Sequence, residues 1–287
     1  MKLSYYPGCS LQGTALDYDK SVREFCSLVG VELVEIPDWN CCGASSAHMT
    51  RHEVGMRLPM RNLLLAAELG LDILVPCAAC FQRLKAAEKS LREAPEYWDV
   101  ERYQGNCRII HISTFLASQA INEAIQQRIS NLLKGMKLGC YYGCLSLRHP
   151  KITGVSNFEQ PESLETIVRY VGAEPVPWSH RTECCSGSLT MARPDIARRL
   201  VGDLVEAAVR AGADALVTDC PMCQVNVESR QMDMAGGPRL PVYFVTELIN
   251  AALTGDYPAK QKRLHLVDAG VLSAVMQENH RSREETV

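Results

Sequence analysis

Residues 68–80 read ELGLDILVPCAAC, and residues 210–223 read RAGADALVTDCPMC. In both stretches a glycine closes a helix-like segment, a short apolar run follows, and two cysteines separated by two residues end the stretch. Glycine favours the left-handed conformation in which many helices end, and a short apolar run is typical of a buried parallel strand. The two stretches therefore predict the same helix–strand–CxxC unit twice in one chain.

Further cysteines extend this repeat. The chain has 13 cysteines among 287 residues, and ten of them form two matching sets, Cys9, Cys41, Cys42, Cys77, Cys80 and Cys144, Cys184, Cys185, Cys220, Cys223. The partners lie 143 residues apart, except that Cys9 and Cys144 lie 135 apart, so the second copy holds eight extra residues. The loop-like segment 151–163 can accommodate them. A repeat of this length predicts two similar domains, residues 1–135 and 136–287.

Each copy is predicted to be an α/β domain with a small, mainly parallel sheet flanked by helices. Cys9, Cys41-Cys42 and Cys77 each follow a strand-like segment, and the second copy repeats that order. Ligands of such sheets gather at the carboxyl ends of the strands. The spacing thus predicts five thiolates at one edge of each sheet.

Composition narrows the possible partners and compartments. The net charge is −3 and there is no long basic run, so nucleic acid is not the expected partner. The first residues carry no apolar signal segment, and the longest apolar stretch, residues 63–75, is interrupted by acidic residues and too short to span a membrane. We expect a cytoplasmic protein, in which clustered cysteines more often bind metal or do redox chemistry than form disulfides. P-loop, GxSxG and HExxH motifs are absent from the sequence.

Two kinds of metal centre suit these cysteines. Four thiolates fit a structural zinc ion, so zinc in one or both sites stays open. A fifth cysteine and an adjacent pair favour an iron–sulfur cluster, whose metal atoms are spread over several ångströms. The ordinary ferredoxin spacing is absent, so the cluster is expected to be unusual.

The two sets resemble the CCG motif, which occurs twice in the B subunit of heterodisulfide reductases. Cys41-Cys42-Gly43 matches the motif, whereas in the second copy Ser186 intervenes before Gly187 as an apparent insertion. The resemblance covers residues 1–250, and the sequences of residues 7–15 and 38–48 are similar to those of bacterial members.

The resemblance implies that each set of five cysteines holds one non-cubane [4Fe-4S] cluster. It further implies cleavage of a disulfide, of the CoM-S-S-CoB type or a related bacterial kind, by one electron from each cluster. The implied partners are the ferredoxin-like C and the flavin-bearing A subunits of such a complex. The alternative is a non-catalytic electron-relay or zinc-stabilised subunit of a dehydrogenase that oxidises lactate, glycolate or succinate.

Other residues receive weaker assignments. His149 follows Cys144 by five residues, and it is the predicted proton donor to a product thiolate because imidazole titrates near neutral pH. A surface loop histidine is the alternative. Cys26 and Cys107 are expected in the core, and Cys140 either there or as a ligand in place of Cys144. The pairs Tyr5-Tyr6 and Tyr141-Tyr142 are predicted to match each other and to cover the clusters from water.

Overall fold

A computed structural model describes residues 1–44, 46–98, 103–129, 133–234 and 236–284. The chain divides into two compact units. Unit 1 comprises Met1–Phe115 and Leu145–Gln160, and unit 2 comprises Leu116–Cys144 and Pro161–Val287. Each unit contains one four-stranded sheet, as the doubled sequence pattern predicts.

The sheet of unit 1 is parallel throughout. Its strands are β1 (Lys2–Tyr5), β2 (Glu32–Glu35), β3 (Ile73–Val75) and β4 (Ile109–His111), arranged in the order β2-β1-β3-β4. Strand β3 pairs with β1 on one side and β4 on the other, and all three of its residues are buried. The apolar run that ends at Val75 therefore forms a strand covered on both faces, as predicted.

Unit 2 repeats this arrangement with β5 (Lys137–Tyr141), β6 (Glu174–Pro175), β7 (Ala215–Thr218) and β8 (Val242–Phe244), in the order β6-β5-β7-β8. All pairs are parallel, and β7 is buried along its whole length. The predicted class, two pseudo-repeated α/β domains with small parallel sheets, is confirmed.

Helices flank both sheets. Those of the first part of the chain are α1 (Gly8–Leu11), α2 (Leu16–Leu28), α3 (Ala47–Thr50), α4 (His52–Leu69), α5 (Ala78–Glu93), α6 (Pro95–Trp98), α7 (Ile112–Leu116) and α8 (Gln119–Gln126). The later ones are α9 (Pro150–Thr153), α10 (Ser163–Tyr170), α11 (Pro194–Arg210), α12 (Pro221–Met232), α13 (Val245–Thr254), α14 (Ala259–Lys262) and α15 (Gly270–Glu284), with a 3₁₀ turn at Gly187–Leu189. Gly70 and Gly212, which follow α4 and α11, have φ of 64° and 80°, so both glycines end their helices as predicted.

The two units interleave along the chain, which the predicted boundary at residues 135/136 does not describe. After Cys144 the chain enters unit 1, where α9 packs on α5 and Lys89 Nζ donates to the Lys151 carbonyl at 3.2 Å. It returns to unit 2 at Pro161. The excursion falls between Cys144 and the second cysteine pair, where the second copy holds its eight extra residues. Only the second copy makes such an excursion, because the first copy lacks these eight residues between its first cysteine and its cysteine pair.

A buried ion-pair network anchors the C-terminal part of unit 2. His265 Nδ1 lies 2.7 Å from Glu228 Oε1, and His265 Nε2 lies 3.4 Å from Glu247 Oε1. The same glutamates accept hydrogen bonds from the backbone N–H groups of Val242 and Phe244 in β8. Burial opposes protonation of His265, but its hydrogen bonds to the two carboxylates raise its pKa to about 10.

Candidate metal centres

The cysteines of each set lie at the carboxyl ends of the strands. In unit 1, Cys9 lies in α1 directly after β1, Cys41 and Cys42 follow β2, and Cys77 is the residue that precedes α5 after β3. Cys80 lies in the first turn of α5. Parallel strands end at the same edge of a sheet, so these five side chains converge there.

The sulfur atoms of unit 1 form a string of close contacts. Cys9 Sγ lies 3.5 Å from Cys41 Sγ, and Cys42 Sγ lies 3.4 Å from Cys80 Sγ. Cys41 interacts with Cys42, and Cys80 interacts with Cys77, which completes the string. All five predicted residues of this set are therefore brought together.

Unit 2 repeats the arrangement with slightly longer contacts. Cys144 Sγ lies 3.8 Å from Cys184 Sγ, and Cys185 Sγ lies 3.7 Å from Cys223 Sγ. Cys223 interacts with Cys220 in turn. The second set is thus as complete in space as it is in the sequence.

Each set has a buried side and an open side. The buried members are Cys42, Cys77, Cys80 and Cys185, Cys220, Cys223. Cys9 and Cys184 are exposed, and Cys41 and Cys144 are partly exposed. The contacting pairs Cys9–Cys41 and Cys144–Cys184 therefore lie on the more exposed side of each set.

Two glycines leave room for the deepest sulfur of each set. A Cβ added at Gly8 would lie 2.7 Å from Cys80 Sγ, and one added at Gly143 would lie 2.8 Å from Cys223 Sγ. Both distances are shorter than any normal contact, and both glycines have positive φ, 71° and 65°. A side chain at either position would have to displace this sulfur and would adopt a backbone conformation that residues other than glycine rarely take.

Ser186 replaces a glycine rather than being inserted. It stands 143 residues after Gly43, the same offset that separates the adjacent cysteines, and both residues have left-handed φ, 75° for Gly43 and 59° for Ser186. The backbone N–H of Gly43 points to Cys41 Sγ at 3.4 Å, and that of Ser186 points to Cys184 Sγ at 3.2 Å. The expected insertion is therefore wrong, because the turn after each cysteine pair has the same length and shape.

Buried side chains hold the loop before the first cysteine pair. The Tyr6 hydroxyl donates to the Asn40 carbonyl at 2.7 Å, and Asn62 Nδ2 donates to the same carbonyl at 2.8 Å. Asn62 Oδ1 also accepts the Asn40 N–H at 2.9 Å. In unit 2, the Tyr141 hydroxyl donates to the Glu183 carbonyl at 2.8 Å. Asn62 carries no sequence signal of this role.

These contacts shift the predicted tyrosine match by one residue. Tyr6 corresponds to Tyr141, and Tyr5 therefore corresponds to Cys140. The strand register agrees with this match. Tyr5 pairs with Leu74 and Cys140 pairs with Val217, and these two partners are again 143 residues apart. All four tyrosines of the two pairs are buried. Tyr6 and Tyr141 lie among the sulfurs, whose negative charge adds to burial in raising the pKa of each phenol.

The thiols of each set compete for ionisation. Hydrogen bonds with Cys41 and Cys80 lower the pKa of Cys42 to about 3, although burial opposes this. The same interactions raise the pKa of Cys41 and Cys80, and the corresponding ones raise the pKa of Cys144 and Cys223. In unit 1 these shifts favour Cys42 as the thiolate among the five thiols. A bound cationic centre removes this competition, because it deprotonates the thiols that coordinate it.

The three remaining cysteines lie in the core. Cys26 and Cys140 are fully buried, in α2 and β5, and Cys107 precedes β4. Burial raises the pKa of Cys26 to about 12 and raises that of Cys140 as well. Cys140 corresponds in position to Tyr5 and not to Cys9. The geometry therefore does not support Cys140 as a ligand in place of Cys144.

His149 is exposed and directly precedes α9, where its carbonyl accepts the N–H of Thr153 at 3.0 Å. His149 belongs to unit 1, whereas Cys144 belongs to unit 2. The two residues are five apart in the sequence but are not part of the same compact unit. His48 in unit 1 has its Nδ1 3.3 Å from the carbonyl of Gly43, directly after the cysteine pair. The catalytic role of His149 stays a prediction.

The donor chemistry of each set fits a cluster of several metal atoms. Five sulfurs lie in a string, glycines leave space beside the deepest one, and backbone N–H groups point to Cys41 and Cys184 as they do in iron–sulfur proteins. Within the described residues, no group of three or more His, Cys, Asp or Glu side chains is arranged around the position of a single metal ion.

Comparison with known proteins agrees with the doubled fold. A family model described as the CCG cysteine-rich domain matches residues 3–85 and 138–228. The chain belongs to the CCG cysteine-rich domain family. The resemblance to the B subunit of heterodisulfide reductases, inferred from the motif, is confirmed, since curated proteins of that description match 88% of the chain.

Three proteins illustrate the range of this family. The chain is 30% identical to the "8-methylmenaquinol:fumarate reductase membrane anchor subunit" of Wolinella succinogenes over 93% of this chain and 98% of that protein. It is 25% identical to the B subunit of the "Ferredoxin/F(420)H(2)-dependent CoB-CoM heterodisulfide reductase" of Methanosarcina acetivorans, over 88% and 89%. It is 24% identical to a protein of Archaeoglobus profundus described as similar to the B subunit of heterodisulfide reductase, over 80% and 82%.

A solved structure shares the fold. The crystal structure of a hypothetical protein from Helicobacter pylori superposes with a TM-score of 0.68 over 92% of this CCG chain, at 10% sequence identity. The CCG chain spans about half of that protein, 51% of its length. None of the described helices combines the length and apolar character that a membrane crossing requires.

Proposed function

We propose that this chain is the iron–sulfur catalytic subunit of a heterodisulfide reductase-like complex, with one non-cubane [4Fe-4S] cluster held by the five cysteines of each unit. Such clusters, when bound, supply single electrons. Reduction of one S–S bond consumes two electrons and two protons and yields two thiols, so two one-electron centres suffice. The observation that carries the proposal is the completeness of both five-cysteine sets, with matching sulfur contacts.

Different residues of the chain have different roles in the proposed reaction. The buried cysteines of each set hold the centre away from water, and the exposed pairs Cys9–Cys41 and Cys144–Cys184 leave one side open to a small disulfide. Buried Tyr6 and Tyr141 lie beside the sulfurs and fix the loops that carry the first cysteine of each adjacent pair. His149, exposed to solvent, is the proposed proton donor to a product thiolate.

The partners and the substrate proposed for this chain are those implied by its resemblance to heterodisulfide reductases. We propose that the electrons come from two partners, the ferredoxin-like C and the flavin-bearing A subunits of the complex. The proposed substrate is a disulfide of the CoM-S-S-CoB type or a related one. The relatives described as heterodisulfide reductase subunits support this assignment. A cytoplasmic location is part of the proposal.

A second candidate is an electron-relay subunit of a larger reductase, which passes electrons without acting on a disulfide. The match to a fumarate reductase subunit over 98% of that protein favours it. Zinc in one or both sites belongs to this alternative.

Metal analysis followed by an activity test separates the candidates. The chain is purified without oxygen, and iron, acid-labile sulfide and zinc are measured. Two four-iron clusters correspond to about eight irons per chain, and we expect a double variant, Cys42→Ser with Cys185→Ser, to lose most of them. Zinc without sulfide would contradict the proposal.

The activity test uses a reduced viologen dye as electron donor and mixed disulfides as acceptors, with release of thiols as the readout. Thiol release by the wild-type chain, absent from the double variant, supports the disulfide reductase. Intact clusters that accept electrons but release no thiol from any disulfide favour the relay.

A further inference from the structure

The two cysteine sets differ in charge at one corresponding position. Arg83 lies three residues after Cys80 in α5, and Asn226 lies three residues after Cys223 in α12. The two residues are 143 apart, as are the cysteines before them, so they occupy the same face and turn of equivalent helices. One set therefore has a cation where the other has a neutral amide.

Arg83 is held close to the cysteine pair of unit 1. Its Nη2 donates to the Gly55 carbonyl of α4 at 2.9 Å and lies 3.6 Å from Met56 Sδ. Its Nε is buried and has no hydrogen-bond partner. Gly55 in turn lies beside the residue that follows the cysteine pair, since its Cα is 3.9 Å from the place where a Cβ on Gly43 would stand. Within the described part of the chain, the carboxylates near it pair with other cations, Glu53 with Arg57 and Glu88 with Lys85.

Asn226 occupies the corresponding position as a neutral hydrogen-bond donor. It is 3% exposed, and its Nδ2 donates to the Cys185 carbonyl at 2.6 Å. This bond shows that the position faces the adjacent-cysteine loop directly. The residue supports the loop but brings no net charge to it.

We propose that the two centres have unequal midpoint potentials, with that of unit 1 the higher, and that Arg83 is the residue that sets them apart. The inference rests on the proposed function, since it requires a redox centre in each unit. Reduction adds one negative charge to a centre, and a nearby cation stabilises that charge in a protein interior of low dielectric constant. Net charge around an iron–sulfur cluster is one of the factors that set its potential.

An order of electron uptake follows from this difference. A one-electron donor such as a reduced viologen fills the unit 1 centre first, and the second electron enters unit 2 at a lower potential. A complex that must collect two electrons for one disulfide would thus hold the first electron in unit 1.

The test is a mediated redox titration of the anaerobically purified chain, followed by visible absorption and EPR. The wild type is expected to titrate in two separate one-electron steps. Arg83→Gln should move the higher step to lower potential and leave the other in place. Arg83→Lys keeps the charge and should leave both steps near their wild-type positions. Arg92→Gln, on the same helix but paired with Glu88, is the matched control that should change neither.

The reciprocal variant covers the case in which Arg83→Gln fails to bind iron. Asn226→Arg brings a cation to unit 2 and should raise the lower step. Two coincident steps in the wild type, a shift of the lower step in Arg83→Gln, or an unchanged lower step in an iron-loaded Asn226→Arg would overturn the inference while leaving the proposed function intact. A chain without iron and sulfide would overturn both.

Discussion

Replacement of Gly8 by alanine should remove the metal of unit 1 while leaving the fold in place. Gly8 has φ of 71°, and a Cβ at this position would lie 2.7 Å from Cys80 Sγ. Ordinary contact begins at 3.4 Å, so the sulfur must move by about 0.7 Å. Metal–ligand distances tolerate deviations of only about 0.2 Å. A free thiol can rotate away from the new methyl group, but a coordinated thiolate cannot.

A matched variant separates this steric effect from the strain of a positive φ. Gly30→Ala carries the same backbone cost, about 1 kcal/mol, because Gly30 has φ of 73°, but nothing lies within 4 Å of its added Cβ. In unit 2, Gly143→Ala places a Cβ 2.8 Å from Cys223 Sγ, and Gly212→Ala, with φ of 80° and open space, is its control.

The assay is iron and acid-labile sulfide per chain after anaerobic purification, with circular dichroism as the measure of folding. Gly8→Ala and Gly143→Ala should each retain about half of the wild-type iron, since each disturbs one of two equivalent sets. Both controls should retain all of it at comparable loss of thermal stability. Full iron content in Gly8→Ala would refute the assignment of Cys80 as a ligand, as would equal iron loss in Gly30→Ala.

Three further predictions concern residues outside the ligand sets. Serine replacements of Cys26, Cys107 and Cys140 should leave the iron content unchanged, because these thiols pack in the core; iron loss in Cys140→Ser would restore it as a ligand. The unfolded chain releases the His265 proton near pH 6.5 whereas the folded chain keeps it up to about pH 10. The stabilisation that comes from this proton should therefore be complete below pH 6.5 and be lost by about 1.4 kcal/mol per pH unit above it. Urea unfolding between pH 6.5 and 8.5 should show this additional slope in the wild type and not in His265→Gln. His149→Ala should lower the rate of thiol release by about 100-fold at unchanged iron content if it donates a proton in the reaction; an unaltered rate would exclude that role.

The sequence predicts those features that its spacing encodes. A run such as residues 73–75 is too short for a helix and is apolar throughout, so both its strand conformation and its burial can be predicted. The carboxyl-end rule then places Cys9, Cys41 and Cys77 at one edge, and the structure brings them there. The repeat strengthens the predictions of strand conformation and cysteine placement, because the same pattern occurs in two separate segments of the chain.

Features that depend on packing could not be predicted. Nothing in the composition of residues 145–160 states which unit they pack against, and the contact of α9 with α5 decides it. Arg83 and Asn226 both look like ordinary helix residues, and only the structure shows that Asn226 binds the cysteine loop of unit 2 and that Arg83 binds the Gly55 carbonyl of α4. At Ser186 the letters Ser-Gly suggest an added residue, while the strict offset of 143 and the left-handed φ show a replacement.

The interleaving of the two units bears on how the chain folds as it is made. Unit 1 lacks α9, the helix that packs on α5, until residues 145–160 have left the ribosome. By then β5 (Lys137–Tyr141), an inner strand of the unit 2 sheet, has already been synthesised. Domains generally fold as units in the order of their synthesis, but here neither unit is a contiguous piece of the chain. A fragment cut at the midpoint of the sequence repeat therefore leaves the first half without its last helix and the second half without residues 116–135, because that midpoint is not a boundary between the compact units.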